Sequence, residues 1–103
     1  MIEVQVLIPV LSNAGETFSA EHDGVFEAFL LTKVNGFSRQ PGLVAGAWIG
    51  EGGFTYRDAN RVYTVALDSI VLAGVIGEIA EFAKVHYGQL AIYVRYMNLS
   101  EVL

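Results

Sequence analysis

Cysteine is absent from the chain, and that one absence removes disulfides, thiolate nucleophiles and every cysteine-ligated metal centre. Folding stability has to come from packing. Basic residues are also few: six Lys and Arg stand against eleven Asp and Glu, for a net charge of −5. The six (Lys33, Arg39, Arg57, Arg61, Lys84 and Arg95) are scattered along the chain, so the clustered positive footprint that phosphate backbones demand is missing and nucleic acid is excluded as a partner. A long uncharged apolar run is lacking too. The nearest approach, residues 62–82, is interrupted by Asp68 and Glu78, whereas a membrane span needs about 20 nearly uncharged residues. Residue 1 leads directly into an alternating stretch with no basic segment and no cleavable apolar run before it, so the expected compartment is the cytoplasm.

What the chain has in excess is apolar side chains, 53% against 17% charged, where soluble domains average about 45–50% and about 25%. Its 103 residues suit one domain, expected to span residues 1–103. A domain of this size has much surface to cover, so part of the apolar excess is expected to face a second copy. The expected partner is the chain itself, as a homo-oligomer and in the first instance a homodimer.

Along the chain, apolar residues alternate through Ile2, Val4, Val6, Ile8 and Val10, the two-residue period of a strand with one buried face. After turn residues 12–16, Ser19 is placed to cap a helix over residues 20–34, with Glu21 and Asp23 in its positive first turn. Val25, Phe26, Phe29 and Leu30 form its inward stripe, and Asn35-Gly36 supplies a left-handed stop. Pro41-Gly42 closes a loop. A second strand covers residues 43–49, a glycine-rich hairpin connection residues 50–60, and a third strand residues 61–67. Asp68 or Ser69 caps a second helix running to about His86, with Leu72, Val75, Ile76, Ile79, Phe82 and Ala83 inward, and Gly88 ends it. Residues 89–96 alternate as a fourth strand. The tail, residues 97–103, keeps Leu99, Val102 and Leu103, an apolar content that suggests docking.

The order βαββαβ predicts an α+β ferredoxin-like sandwich: a four-stranded antiparallel sheet with two helices on one face. In that layout the loop 11–18, the hairpin 50–60 and the turn 86–88 share one end, where a site built from loops would form. The open sheet face is the second candidate surface. Glu3, Gln5, Leu7, Tyr93 and Arg95 are expected on it, with some of Val44, Trp48, Tyr63 or Thr64 beside them.

Three side-chain groups are candidates for chemistry. His22 and His86 both belong to the shared loop end and, with Glu21, Asp23 or Glu51, are weighed as acid and base or as metal ligands; no HxH, HxxxH or HxxE spacing arranges ligands, and helix-terminal histidines more often pack or cap, so no metal is predicted. Arg57 and Asp58 lie in the predicted hairpin, where Arg57 can grip a carboxylate and Asp58 can act as base, against a bland reading as turn residues. Arg95 with Tyr93, Gln5 and Glu3 is either an anion-recognising cluster or a cross-strand Glu3–Arg95 pair. Trp48, flanked by Ala45, Gly46 and Ala47, leaves concavity on the sheet surface. The ligand-binding candidates are therefore Trp48, Tyr63, Tyr93, Arg95 and Arg57, and the implied ligand is a small apolar or aromatic anion. The catalytic candidates are His22, His86 and Asp58. No cofactor is predicted, and neither a phosphate-loop pattern nor a GxSxG elbow is present.

The sequence Asn13-x-Gly15-x-x-Phe18, then Gly42, Gly46-x-Trp48, Tyr56-Arg57-Asp58 leading into Val62-Tyr63, and finally Leu90-x-Ile92 resembles a group of small, uncharacterised bacterial ferredoxin-like proteins over nearly the whole chain. More distantly it is similar to the dimeric α+β barrel proteins, several of which are cofactor-free oxygenases or small-ligand enzymes with a pocket between two facing sheets. The resemblance implies a fold and no catalytic residue. Two functions are thus in view: an oligomeric binding or accessory module using its open sheet face, or a cofactor-free small-molecule enzyme with a pocket at the subunit interface.

Overall fold

A computed structural model of the chain describes residues 2–68 and 72–97. Strand β1 (Ile2–Pro9) follows the alternating stretch, and helix α1 (Ala20–Lys33) opens where the Ser19 hydroxyl accepts the His22 backbone N–H at 3.0 Å. Strands β2 (Phe37–Arg39) and β3 (Val44–Ile49) come next, then a 3₁₀ turn at Glu51–Gly53 and the long strand β4 (Thr55–Leu67). Helix α2 (Leu72–Tyr87) and strand β5 (Tyr93–Met97) complete the described order.

All pairing is antiparallel, in the order β2-β4-β1-β5, with β3 also on β4. The sheet therefore has five strands rather than the four expected, although it keeps four lanes. β2 and β3 share the outer lane of β4, against residues 63–65 and 55–60 respectively. Pro41, which has no N–H to donate, and Gly42 interrupt that lane. Thus the two-helix, antiparallel ferredoxin-like α+β architecture expected from the element order is the one observed.

The predicted hairpin connection over residues 50–60 is corrected. Its turn occupies only Glu51–Gly53, where Gly52 and Gly53 both take φ of +78°, a left-handed conformation glycine adopts without a Cβ penalty. Residues 55–60 are strand. The Asn35-Gly36 stop is corrected as well, because α1 ends by Val34 turning extended at φ −132° while its N–H still reaches the Leu30 carbonyl at 2.9 Å. Val34 is a core residue, and leaving the helix extended sends the chain directly into β2. Gly88 does close α2 with φ +63°, as expected. The proposed Ser69 cap and the tail beyond residue 97 lie outside the described residues.

Val4, Val6 and Ile8 of β1 meet Phe26 and Leu30 of α1, and Ile76, Ile79 and Ala83 of α2, in the core. Val25, expected inward, is exposed, and buried Asp23 takes its place on the stripe at 2% exposure. Asp23 is tolerated because both its oxygens are used: Oδ1 accepts the Tyr87 hydroxyl at 2.7 Å and Oδ2 pairs with Arg61 Nε at 3.1 Å. One turn along, Glu27 Oε2 repeats the arrangement with the Tyr63 hydroxyl at 2.7 Å and Arg39 at 3.1 Å. Charge can be withdrawn from water in this form because a phenol and a guanidinium replace the lost hydration.

Removing the Asp23 carboxylate leaves a buried phenol and a partly buried guanidinium without their acceptor, so Asp23→Ala should lose about 2–4 kcal/mol in urea denaturation and Asp23→Asn less. The two phenols add a pH dependence. Burial first, then the hydrogen bond to Asp23, holds Tyr87 well above the ordinary tyrosine range; burial and then Glu27 do the same for Tyr63. Both groups keep their protons more tightly folded than unfolded, so their contribution is complete below about pH 10 and declines as pH rises past it. The urea midpoint should fall on that alkaline side, and a Tyr63→Phe, Tyr87→Phe protein should show a flatter decline.

Candidate functional site

The histidines do come together. The His22 and His86 rings stack with centroids 3.8 Å apart and planes 11° apart, and each Nε2 lies 2.7 Å from the other residue's backbone carbonyl. A carbonyl only accepts, so both Nε2 atoms carry hydrogen and are committed. Phe18 stacks on the outer side of His22 at 4.9 Å, and Phe82 on that of His86 at 5.4 Å. The pair is thus a clasp between the start of α1 and the end of α2. Among the described residues no group of three or more His, Asp or Glu is arranged to hold a metal ion.

The other candidates gather elsewhere, around an open trough of about 980 Å³. Its floor comes from Leu7 and Pro9 of β1, one wall from Tyr93 and Arg95 of β5, and the opposite wall from the β3–β4 ribbon with Trp48 and Asp58. The loop end contributes as expected: Asn13 and Gln89 reach the rim, where Asn13 Nδ2 donates to the Gly88 carbonyl at 2.9 Å. Strand periodicity explains most of this placement. Leu7 pairs with Tyr93 and Gln5 with Arg95, so these side chains leave the sheet on the face away from the helices.

Tyr63 is the exception and is corrected as a ligand-binding candidate. The same period turns it with Val65 toward the helices, where its ring meets Phe26 edge-on at 5.2 Å and its hydroxyl is spent on Glu27. It lines no part of the trough. Leu90 is also corrected: it is fully exposed and precedes β5, which starts at Tyr93.

Two features of the ribbon went beyond sequence reasoning. Trp48 faces Tyr56 across the ladder, and their rings stack at 4.6 Å. Had the three residues Glu51–Gly53 been read as the turn itself, counting back from them would have placed these two residues opposite each other. Asp58 lies over Gly46, close enough that a Cβ at position 46 would sit 2.5 Å from Oδ1. A side chain at position 46 would have to displace that carboxylate. Among the described residues, neither Arg57 nor Arg95 forms an ion pair, so the cross-strand Glu3–Arg95 alternative is not realised; the Arg95 guanidinium lies 5.8 Å from the Tyr93 ring centroid.

The trough can therefore offer the Arg95 guanidinium, the Asp58 carboxylate and an aromatic wall to whatever enters it. Arg57, by contrast, alternates with Tyr56 and Asp58 and leaves β4 on the opposite face. No protein-family model matches the sequence, and no curated protein is similar to it. Solved structures do share its fold. The periplasmic divalent cation tolerance protein CutA from Archaeoglobus fulgidus superposes with a TM-score of 0.66 at 14% identity, over 99% of this chain and 86% of that one. The divalent cation tolerance protein CutA1 from Thermus thermophilus does so with a TM-score of 0.66 at 12% identity, over the same shares. A phage SAM lyase in complex with S-methyl-5′-thioadenosine gives a TM-score of 0.67 at 10% identity, over 94% of this chain and 80% of that one. At such identities the likeness is one of fold: this chain has the ferredoxin-like α+β fold of these proteins.

Proposed function

We propose that the chain is a small self-associating binding or accessory module, in which a second copy covers the open sheet face and the ribbon, and the trough between them takes a small apolar or aromatic anion. The observation that carries this reading is the ribbon surface. Trp48, Ile49 and Phe54 are 55%, 73% and 68% exposed, and they adjoin a trough whose floor is apolar. A contiguous apolar and aromatic surface on a small domain marks an interaction site. Arg95 brings a cation to the enclosed space, and a guanidinium withdrawn from water needs an anionic partner. An enzyme of the barrel type draws less support, since the two histidines are engaged with backbone carbonyls away from the trough and Asp58 is left as its one candidate base.

Sedimentation at micromolar concentration tests the association: an assembly is expected, and a single 11.2 kDa species would end the proposal. The ligand is tested by thermal shift against small aromatic carboxylates, with S-methyl-5′-thioadenosine included as an uncharged heteroaromatic because a protein of similar fold is bound to it. The Arg95→Ala protein should assemble yet lose the stabilisation by carboxylates. Should it merely fail to assemble, Arg95 is interface and the trough is not a ligand site. Gly46→Ala probes the wall directly. The added methyl displaces the exposed Asp58 carboxylate and should cost no more than about 1 kcal/mol, while Gly46→Ala with Asp58→Ala should recover most of it in a double-mutant cycle.

A further inference from the structure

The outer edge of β3 has a defined hydrogen-bonding polarity that follows from the ladder. Gly50 N–H bonds to the Phe54 carbonyl at 2.9 Å, closing the ribbon. In an antiparallel pair, bonded and non-bonded positions alternate, so the next bonded pairs are Trp48 with Tyr56, Gly46 with Asp58 and Val44 with Asn60. Two further bonds agree with this phase. Ala59 gives its carbonyl to Val10 on the β1 side of β4, and Val62 gives its carbonyl to Gln40 on the opposite side. The N–H and C=O groups of Ala45, Ala47 and Ile49 therefore point away from β4, and no described strand pairs with β3 on that side.

Unpaired strand edges in monomeric proteins are protected by charge, proline, bulges or shortness. β3 has six residues, Val-Ala-Gly-Ala-Trp-Ile, with no charge and no proline. From this unprotected edge we infer that β3 of one copy pairs, through the amides and carbonyls of Ala45, Ala47 and Ile49, with a free strand edge of a second copy, continuing the sheet from subunit to subunit. This rests on the self-association proposed above and specifies its hydrogen bonds. A second copy is the occupant because this edge is continuous with the exposed Trp48, Ile49 and Phe54 surface through which self-association is proposed. An uncharged strand is also where two chains of net charge −5 meet with least repulsion. Trp48 then serves as a built-in reporter, because it is the chain's single tryptophan and sits on the pairing strand.

Ala47→Pro tests the pairing selectively. It deletes one outward N–H and none of those used by β4, and the preceding Gly46 tolerates the backbone restriction that proline imposes. Wild-type protein should associate, with Trp48 emission shifting to the blue and the amides of Ala45, Ala47 and Ile49 protected from exchange in the assembled form but not on dilution. Ala47→Pro should weaken association by roughly tenfold or more. An assembling wild type whose three amides exchange as fast in the assembly as in the dilute protein overturns edge pairing while leaving association through the sheet face intact; this arm stands even if Ala47→Pro fails to fold. A wild type that is monomeric at every concentration overturns both. Sedimentation mass also tells how the pairing closes, as two β3 edges about a two-fold axis or as a ring of three or more subunits.

Discussion

The pairing of the 13-residue strand β4 is the constraint on which the rest of the molecule depends. Its residues 60–67 are flanked on one side by β1, and its other side is shared between β2 and β3. β1 is only eight residues long, so it runs out near Asn60 while β4 and β3 continue past it as a two-stranded ribbon. That mismatch in strand length creates both the trough, which opens beside the end of β1, and the free edge of β3. A two-stranded ribbon is marginal in water without further packing, and this one carries its largest side chains exposed. The same geometry that builds the trough also leaves the ribbon's aromatic side chains exposed.

Orientation of the helices over this sheet is set by polar contacts as much as by the aliphatic core. Asp23 and Glu27 lie one turn apart on α1, and each binds a tyrosine and an arginine supplied by other elements: Tyr87 with Arg61, and Tyr63 with Arg39. Such bonds are directional where hydrophobic contacts are not, and they define the rotation of α1 about its axis. The His22–His86 clasp adds a second fixed point at the helix ends, and the contact between Lys33 and Glu78 a third at the far side. The end of α2 is thereby held beside Asn13, which shapes the rim of the trough.

Much of this is legible in the sequence. The alternation in β1, the Ser19 cap, the Gly88 stop and the element order led to the correct fold class, because each is a local signal with a single strong physical cause. The meeting of His22 with His86, and of Trp48 with Tyr93 and Arg95 around one concavity, followed from topology and strand period. The errors share a different origin. Tyr56-Arg57-Asp58 reads as turn chemistry by composition, and only the pairing with β3 makes it strand. Val25 and Asp23 lie on neighbouring parts of α1, and hydrophobicity alone ranks them in the wrong order, since it takes no account of Tyr87 and Arg61 waiting to receive a carboxylate.

From the residues alone came whatever depends on composition or on near neighbours: the absence of thiol chemistry, the scatter of six basic residues among eleven acidic ones, the periods of strands and helices, and the caps that bound them. Tertiary structure decided what depends on register and on contacts between distant segments. It assigned Tyr63 to the helix side and not the trough, committed both imidazoles to backbone carbonyls, and left the amides of Ala45, Ala47 and Ile49 facing outward. A shift of one residue in pairing would reverse every one of the strand assignments, and register is the property that a single sequence, read locally, specifies least.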